Sequence, residues 1–470
     1  MRNVILYNPK SVFFDMPLAL LAIGSVLDPD QYKVIIVDGR IDDNPVETIK
    51  KDLDNAVCFG VTALTGSPIK DALEITRGVK KLSPTLPVVW GGWHTSLFPE
   101  QTLIDEQTID ITVQGQGEQT FKELVDALAH QMSVSEIRGI CYRDENGKII
   151  KTPPRVLLPM DDFEDVNYDL IDVEKYFKKK GRRQMDYISS TGCYFRCTFC
   201  ADPFVYNRKW SAVSPETMVN KLESLYKKYK FTDLNLQDET YFTYADRVID
   251  IAQKIIDRNL KFTWAATMRA DQGSRMSDED FAICAASGLR RLLIGVESGS
   301  QEMMDWLKKD IKLEQVFMCA DRCRKLGISV IFPFIVGFPE ESERSIDATV
   351  DVALRLNSMH PEFSTPIFYF KPYPGSKITQ DVIKNGYELP KTIHEWSNFD
   401  YIGSSGPWVS DEKYDFFEKF KFYMKLGYSK QNFAVKPFQA IARFRCRHKF
   451  FRIPVEKKLA SLLFTKQQLS

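Results

Sequence analysis

Between Val4 and His130 short apolar runs alternate with stretches of helical periodicity, which limits this part of the chain to an α/β fold with a parallel sheet. The runs are Val4–Pro9, Lys33–Asp38, Ala56–Val61, Pro87–Gly92 and Ile109–Gly115. Between them lie patterns such as Pro68–Leu82, where Ile69, Leu73, Ile75 and Val79 recur at helical spacing. Five such units predict a Rossmann-like domain over residues 1–135. Its glycines cluster at the strand ends, in Asp38-Gly39, Gly60, Gly91-Gly92 and Gly115-Gln116-Gly117-Glu118. An open parallel sheet has its ligand crevice there.

A hairpin-like piece, Ile140–Arg143 and Ile149-Ile150 around Glu145-Asn146-Gly147, opens a linker over residues 136–182 that includes the proline- and acid-rich stretch Pro153–Asp172. The alternation then resumes over residues 183–390 with six more β/α units, which predicts a partial barrel whose function sits at the strands' C-terminal ends. Residues 391–470 read as helical and aromatic, with a basic tail. At 470 residues, 44% hydrophobic and 27% charged, the chain needs more than one core and is not disordered. Lys and Arg equal Asp and Glu at 63 each, which argues against nucleic-acid binding as the work of the whole chain. The N-terminus is too short in apolar residues for a secretory signal, and no run reaches the roughly 18 residues that span a bilayer. A cytoplasmic location is the expectation.

The nine cysteines are odd in number, and three of them fall within eight residues, so they are not a disulfide framework. Cys193-Tyr194-Phe195-Arg196-Cys197-Thr198-Phe199-Cys200 follows a predicted strand. Thiolates at this spacing can wrap one side of a 4Fe-4S cluster and leave one iron open. Tyr194, Phe195 and Phe199 would shield it from water. A structural zinc site needs a fourth ligand. No other Cys or His lies within thirty residues on either side. Cys58, Cys141, Cys284, Cys319, Cys323 and Cys446 read as packing residues.

The Cys193-x3-Cys197-x2-Cys200 motif at the head of a β/α half-barrel resembles the radical S-adenosylmethionine (radical SAM) superfamily. The resemblance implies that the open iron chelates the methionine part of SAM and that one electron cleaves SAM to a 5′-deoxyadenosyl radical. It implies SAM contacts at Phe199 and, strand by strand, at Gln237-Asp238-Glu239 toward the amino group, Arg269 toward the carboxylate, and Glu297 and Ser298 toward the ribose and methionine. Val336-Gly337 and Tyr373, in Pro372-Tyr373-Pro374-Gly375, would border the adenine.

A Rossmann-like domain ahead of such a barrel resembles the cobalamin-binding class of that superfamily. The implied cobalamin contacts are Gly60, Thr62, Thr65 and Ser67, then Gly91, Gly92, Trp93 and His94, then Gly115, Gly117 and Glu118. The Asp-x-His-x-x-Gly signature for a lower axial histidine is absent after the first strand, where Asn8-Pro9-Lys10-Ser11-Val12 stands. Cobalamin is therefore expected to lack a protein imidazole, with His94 a loop residue near the corrin edge. Methylthiotransferases need three cluster cysteines in the N-terminal half, which here has only Cys58 and Cys141. Coproporphyrinogen-type oxidases lack the preceding domain.

The resemblance implies a radical C-methyltransferase with a 4Fe-4S cluster, SAM and cobalamin, served by a one-electron reductant such as flavodoxin or ferredoxin. A cyclase, oxidase or carbon–carbon coupling enzyme of the same class is the alternative, and a non-catalytic corrinoid carrier would not need the cysteine motif. From Lys425 to Ser470 eleven Lys and Arg stand against the single acid Glu456, with Phe444, Phe450, Phe451, Leu459, Leu462, Leu463 and Phe464 interleaved. This tail reads either as a helix on an anionic membrane surface, which would favour a lipid-like substrate, or as a solvated helix packed on the barrel. A small natural-product intermediate is the competing substrate class.

Overall fold

The first apolar run forms strand β1 (Arg2–Asn8), an interior strand next to one edge of a seven-stranded sheet, with Val4, Ile5, Leu6 and Tyr7 all buried. The computed structural model describes residues 1–163, 165–399, 406–428 and 436–451. They fall into two compact units that interleave along the chain. One comprises Met1–Glu239, Lys254–Thr263 and Tyr373–Asp400, the other Thr240–Gln253, Trp264–Pro372 and Tyr401–Ser470.

In the first unit β1 pairs in parallel with β2 (Tyr32–Asp38) and β3 (Ala56–Thr62). Beyond β3 lie β4 (Val88–Gly91) and β5 (Ile111–Val113), also parallel, then the antiparallel β6 (Ile140–Arg143) and β7 (Ile149–Lys151). The near-continuous apolar runs of the sequence follow from this arrangement, since a parallel sheet wound with helices exposes neither face. Ile5, Tyr7, Phe59, Val61 and Trp90 pack into one core, and Val4, Leu6, Cys58, Val89 and Val113 into the other. Each fully buried side chain of this kind contributes about 1.5–3 kcal/mol. The helix Pro68–Leu82 covers the first face and Glu118–Ala129 the second. Cys58 and Cys141 are core residues, and burial pushes their thiols up to about 12 and about 11.

The same unit holds β8 (Gln184–Tyr187) paired in parallel with β11 (Asp233–Leu236), and the antiparallel ribbon of β9 (Ser190–Gly192) with β10 (Trp210–Ala212). It also takes in a segment that the sequence placed at the end of the barrel and beyond it. Ile393 and Trp396 are buried against the first core, and Ile393 N–H donates to Asp105 at 2.7 Å.

The second unit contains the parallel run β12 (Thr263–Met268), β13 (Leu289–Ile294), β14 (Ser329–Ile331) and β16 (Phe363–Ser364), and the parallel pair β15 (Phe334–Val336) and β17 (Ile367–Tyr369). Two runs expected as single strands are each broken in two, at Phe332-Pro333 and at Thr365-Pro366. Proline has no N–H for a ladder and bends the chain out of it. The helices Asp411–Tyr428 and Lys436–Arg447 close the described chain, and residues 452–470, the last stretch of the basic tail, lie outside the described residues.

Candidate active site

The cysteines sit in a loop, residues 193–209, whose base is the β9–β10 ribbon with Gly192 opposite Trp210. Gly192 has φ of 84°, and a Cβ there would stand 2.3 Å from the Lys209 carbonyl, so only glycine closes the loop. Cys193, Cys197 and Cys200 are part-exposed, whereas the other six cysteines are buried. Burial raises the Cys200 thiol above its usual range, and the nearby Asp202, Cys197 and Cys193 raise it further.

Two adjacent carboxylates carry the loop. Asp238 is 2% exposed and accepts from Ser189 N–H at 3.1 Å, Ser189 Oγ at 2.7 Å and Ser190 Oγ at 2.5 Å. At least three of the acceptor positions of this expected SAM contact are spent on the strand that launches Cys193. Glu239 behaves differently. Its carboxyl group takes the Gly192 N–H and its own, yet Oε2 is buried without a hydrogen-bond partner, and burial raises it to about 8, helped by Asp202 and Asp238.

Glu239 also lines a cavity of about 490 Å³ within the first unit. Its other walls are the strand-end residues Gly60, Thr62, Gly91, Gly92, Trp93, Gly115, Gly117 and Glu118. A Cβ on Gly115 would meet no protein atom within 4 Å, and one on Gly91 only Val113 at 4.0 Å, so a ligand can approach the backbone there. Tyr206 and Gln237 complete the side next to the cysteine loop. Tyr206 Oη lies 3.5 Å from Glu239 Oε1, and its ring meets Trp93 edge to face at 5.9 Å. Gln237 shares a hydrogen bond with Asp15.

Three expected cobalamin contacts do not line the cavity. Ser67 is exposed, just ahead of the helix Pro68–Leu82. Thr65 and His94 are buried together, Oγ1 to Nδ1 at 3.3 Å. The His94 ring packs on Phe98 and Trp396, and burial lowers its pKa to about 4. It is a buried, neutral histidine on the short helix Trp93–Leu97 rather than in a loop.

The sequence reading also missed the loop after β1, which supplies Asn8, Phe13 and Asp15 to the cavity. Arg40 fixes that loop. It pairs with Asp38 through Nη2 at 2.6 Å and donates to the Phe13 and Asp15 carbonyls at 2.9 and 2.6 Å. Asp186 holds it from the barrel side, accepting Met16 N–H at 2.7 Å beside Lys180. An arginine two residues past a strand carries no local signal for this role.

Residues 10–125 match the B12 binding domain, and residues 187–353 match the radical SAM superfamily. The chain is 30% identical over 390 residues, 82% of each sequence, to a protein named as an uncharacterized methyltransferase of Pyrococcus horikoshii. The chain belongs to the cobalamin-binding class of the radical SAM superfamily. It is 24% identical over 454 residues, 83% of each, to cytidylyl-2-hydroxyethylphosphonate methyltransferase of Streptomyces wedmorensis. Its fold is that of the radical SAM methyltransferase TsrM from Kitasatospora setae, solved with cobalamin and a 4Fe-4S cluster, with TM-score 0.73 and 17% identity over 95% of this chain and 99% of that one.

The cofactors of a cobalamin-class radical SAM enzyme are a 4Fe-4S cluster, SAM and cobalamin, and the residues present suit them. Three thiols share one loop, an orphaned carboxylate oxygen suits an ammonium group, and a glycine-lined cavity suits a bulky ring. In the second unit of this radical SAM enzyme Arg269 donates through Nε to Asp271 at 2.9 Å and through Nη2 to the Lys309 carbonyl. Glu297 pairs with Lys309 at 2.7 Å. Ser298 is buried, with its Oγ 3.2 Å from Thr349 Oγ1 and accepting Ser300 N–H at 3.1 Å. Val336 lies on β15, and Gly337 N–H donates to Glu341 at 2.6 Å. Phe199 and Tyr373 belong to the first unit, where the Tyr373 carbonyl accepts from Thr379 at 2.7 Å.

Proposed function

We propose that the protein transfers a methyl group from SAM, by way of cobalamin, to an unactivated carbon of a small or lipid-like substrate. The observation that carries this reading is the single cavity bordered by both the B12-domain strand ends and by Tyr206, Gln237 and Glu239 beside the cysteine loop. Bound there, cluster, SAM and cobalamin supply one-electron and methyl-transfer chemistry, and the chain supplies orientation and exclusion of water.

Cys193, Cys197 and Cys200 hold the cluster. The buried, unpartnered Glu239 Oε2 accepts the SAM ammonium. That contact favours the charged carboxylate, which burial alone disfavours. Arg269 meets the SAM carboxylate, Glu297 and Ser298 the ribose side, and Val336, Gly337 and Tyr373 the adenine. Phe199 screens the cluster. Phe13 and Asp15, on the loop that Arg40 holds, would contribute to holding the corrinoid, and His94, enclosed by Thr65, Phe98 and Trp396, would not supply an imidazole to it. Electrons come from a small one-electron carrier of the flavodoxin or ferredoxin kind.

The lipid-like option rests on the helix Lys436–Arg447. Ile441, Phe444 and, just beyond it, Phe450 are exposed large apolar residues, with Arg447 and His448 exposed beside them. Not all the basic residues are available to an anionic surface: Arg445 is buried, and Lys449 pairs with Asp347 and Asp351. No helix among the described residues is long and apolar enough to cross a membrane.

The test is anaerobic reconstitution with iron, sulfide and cobalamin, then mass spectrometry with methyl-deuterated SAM. A deuterated methyl group in a product carbon is the expected result. Turnover of SAM that gives a cyclised or oxidised product, or equal turnover without corrinoid, would remove methyl transfer.

A further inference from the structure

Lys309 stands between two charged neighbours in Lys308-Lys309-Asp310, yet it is only 7% exposed. Its Nζ donates to Glu297 Oε1 at 2.7 Å, with both side chains nine-tenths buried. Its backbone carbonyl accepts from Arg269 Nη2. One residue thus touches both of the oppositely charged groups that the proposed function assigns to SAM.

The surroundings are built around this contact at some cost. Glu297, Lys308 and Asp310 all have left-handed backbone, with φ of 68°, 50° and 55°, and none is glycine. Such conformations persist only where the surrounding structure enforces them. The Glu297 backbone is held on both sides, its N–H by the Pro333 carbonyl at 3.0 Å and its carbonyl by Ile335 N–H at 2.8 Å. Lys309 N–H donates to Met304 in the last turn of the helix Gln301–Trp306, at 3.0 Å. Gly295 leaves the room: a Cβ on it would stand 2.4 Å from Glu297 Oε1 and 3.0 Å from Lys309 Nζ.

A buried ion pair is a poor means of stabilising a fold, because desolvation offsets most of its attraction. What it provides is direction. A carboxylate gripped at one oxygen presents the other along a fixed line, and a guanidinium held through Nε and Nη2 keeps its plane in one orientation. Groups fixed before the ligand arrives lose less freedom on binding it.

We infer that Lys309 is the positioning residue of the SAM site: its ammonium sets the Glu297 carboxylate, and its carbonyl sets the Arg269 guanidinium. The inference rests on the assignment of Arg269 and Glu297 to SAM.

The experiment is equilibrium SAM binding to the anaerobically reconstituted full-length enzyme. Lys309→Met weakens SAM about tenfold or more, the usual scale for removing a group that orients a ligating side chain. Lys309→Arg keeps the cation and recovers most of that loss, which a merely space-filling role would not require. Gly295→Ala keeps every charge but crowds the pair, and weakens SAM in the same sense. The double variant Lys309→Met/Glu297→Gln replaces the pair with neutral groups and binds SAM no more weakly than Glu297→Gln alone, because Lys309 acts through Glu297. Folded Lys309→Met with unchanged affinity overturns the inference, as does a double variant weaker than Glu297→Gln by the full Lys309→Met factor. If Lys309→Met does not fold, the double variant against Glu297→Gln decides. Unchanged affinity in Glu297→Gln would instead remove the SAM assignment, and the inference with it.

Discussion

Acidification should loosen the first unit through one residue, His94. It is 1% exposed, and burial lowers its pKa from 6.5 to about 4. The unfolded chain then binds the proton more readily than the folded one. The neutral ring's contribution is complete above pH 6.5 and fades as pH falls toward 4. With 1.36 kcal/mol per pKa unit the loss comes to about 2 kcal/mol by pH 5 and about 3 kcal/mol by pH 4. Carboxylates titrate in the same range, so the wild-type curve alone decides nothing. His94→Gln keeps a hydrogen-bonding partner for Thr65 and does not titrate, and the difference between the two proteins isolates the imidazole. Urea unfolding of the full-length chain at half-unit steps from pH 7 to pH 4, followed by tryptophan fluorescence, should show the two stabilities converging by about 2–3 kcal/mol at the acid end. Trp396 and Trp90 share the core that His94 borders, so the probe is local. Parallel curves would refute the claim that His94 is held neutral in the core, and would reopen it as a ligand.

The remaining expectations concern the site. The Co(II) form of the reconstituted enzyme should show no nitrogen superhyperfine splitting from a protein imidazole, and His94→Gln should leave its spectrum unchanged; a histidine pattern lost in the variant would contradict the buried placement. Replacing Cys193, Cys197 and Cys200 together by Ala should abolish iron retention after anaerobic reconstitution, and wild-type iron content in that variant would sink the cluster assignment. Asp238→Ala strands three buried donors and should cost about 2–4 kcal/mol, with lowered iron content even where the protein folds. Normal iron and stability together would show that Asp238 does not carry the loop. Ile441→Asp with Phe444→Asp should reduce sedimentation with anionic liposomes at moderate salt, and equal binding by both proteins would leave the helix outer face without a membrane role.

The strands, the cysteine loop and the ligand end of the first sheet were legible because they are written locally, as apolar runs, as close cysteine spacing and as glycines at run ends. What the sequence did not show depends on long-range packing. Trp90-Gly91-Gly92-Trp93-His94 looks like a ligand loop, but the chain turns at Gly92 into the short helix Trp93–Leu97, which buries His94 under Trp396. That partner is three hundred residues away, beyond any local pattern. Asp238 and Glu239 are neighbours of like chemistry, and only the positions of Ser189 and Ser190 separate a carboxylate with both oxygens engaged from one that keeps an unpartnered oxygen. Lys309 carries no local signal either, since consecutive charges are ordinarily solvated and its burial comes from Glu297 and Met304.

The return of Ile393 and Trp396 to the first core bears on the order in which the protein can be made. A ribosome releases the B12-domain strands early, but the apolar patch that Ile393 and Trp396 cover on the helices Pro68–Leu82 and Pro99–Asp105 stays open until residue 396 emerges. The nascent chain must carry that apolar surface while nearly three hundred more residues are synthesised. Such intervals expose a chain to aggregation and favour chaperone capture. Corrinoid loading is then a late event, and fragments ending before Trp396 should be poorly soluble however neatly they follow the sheet.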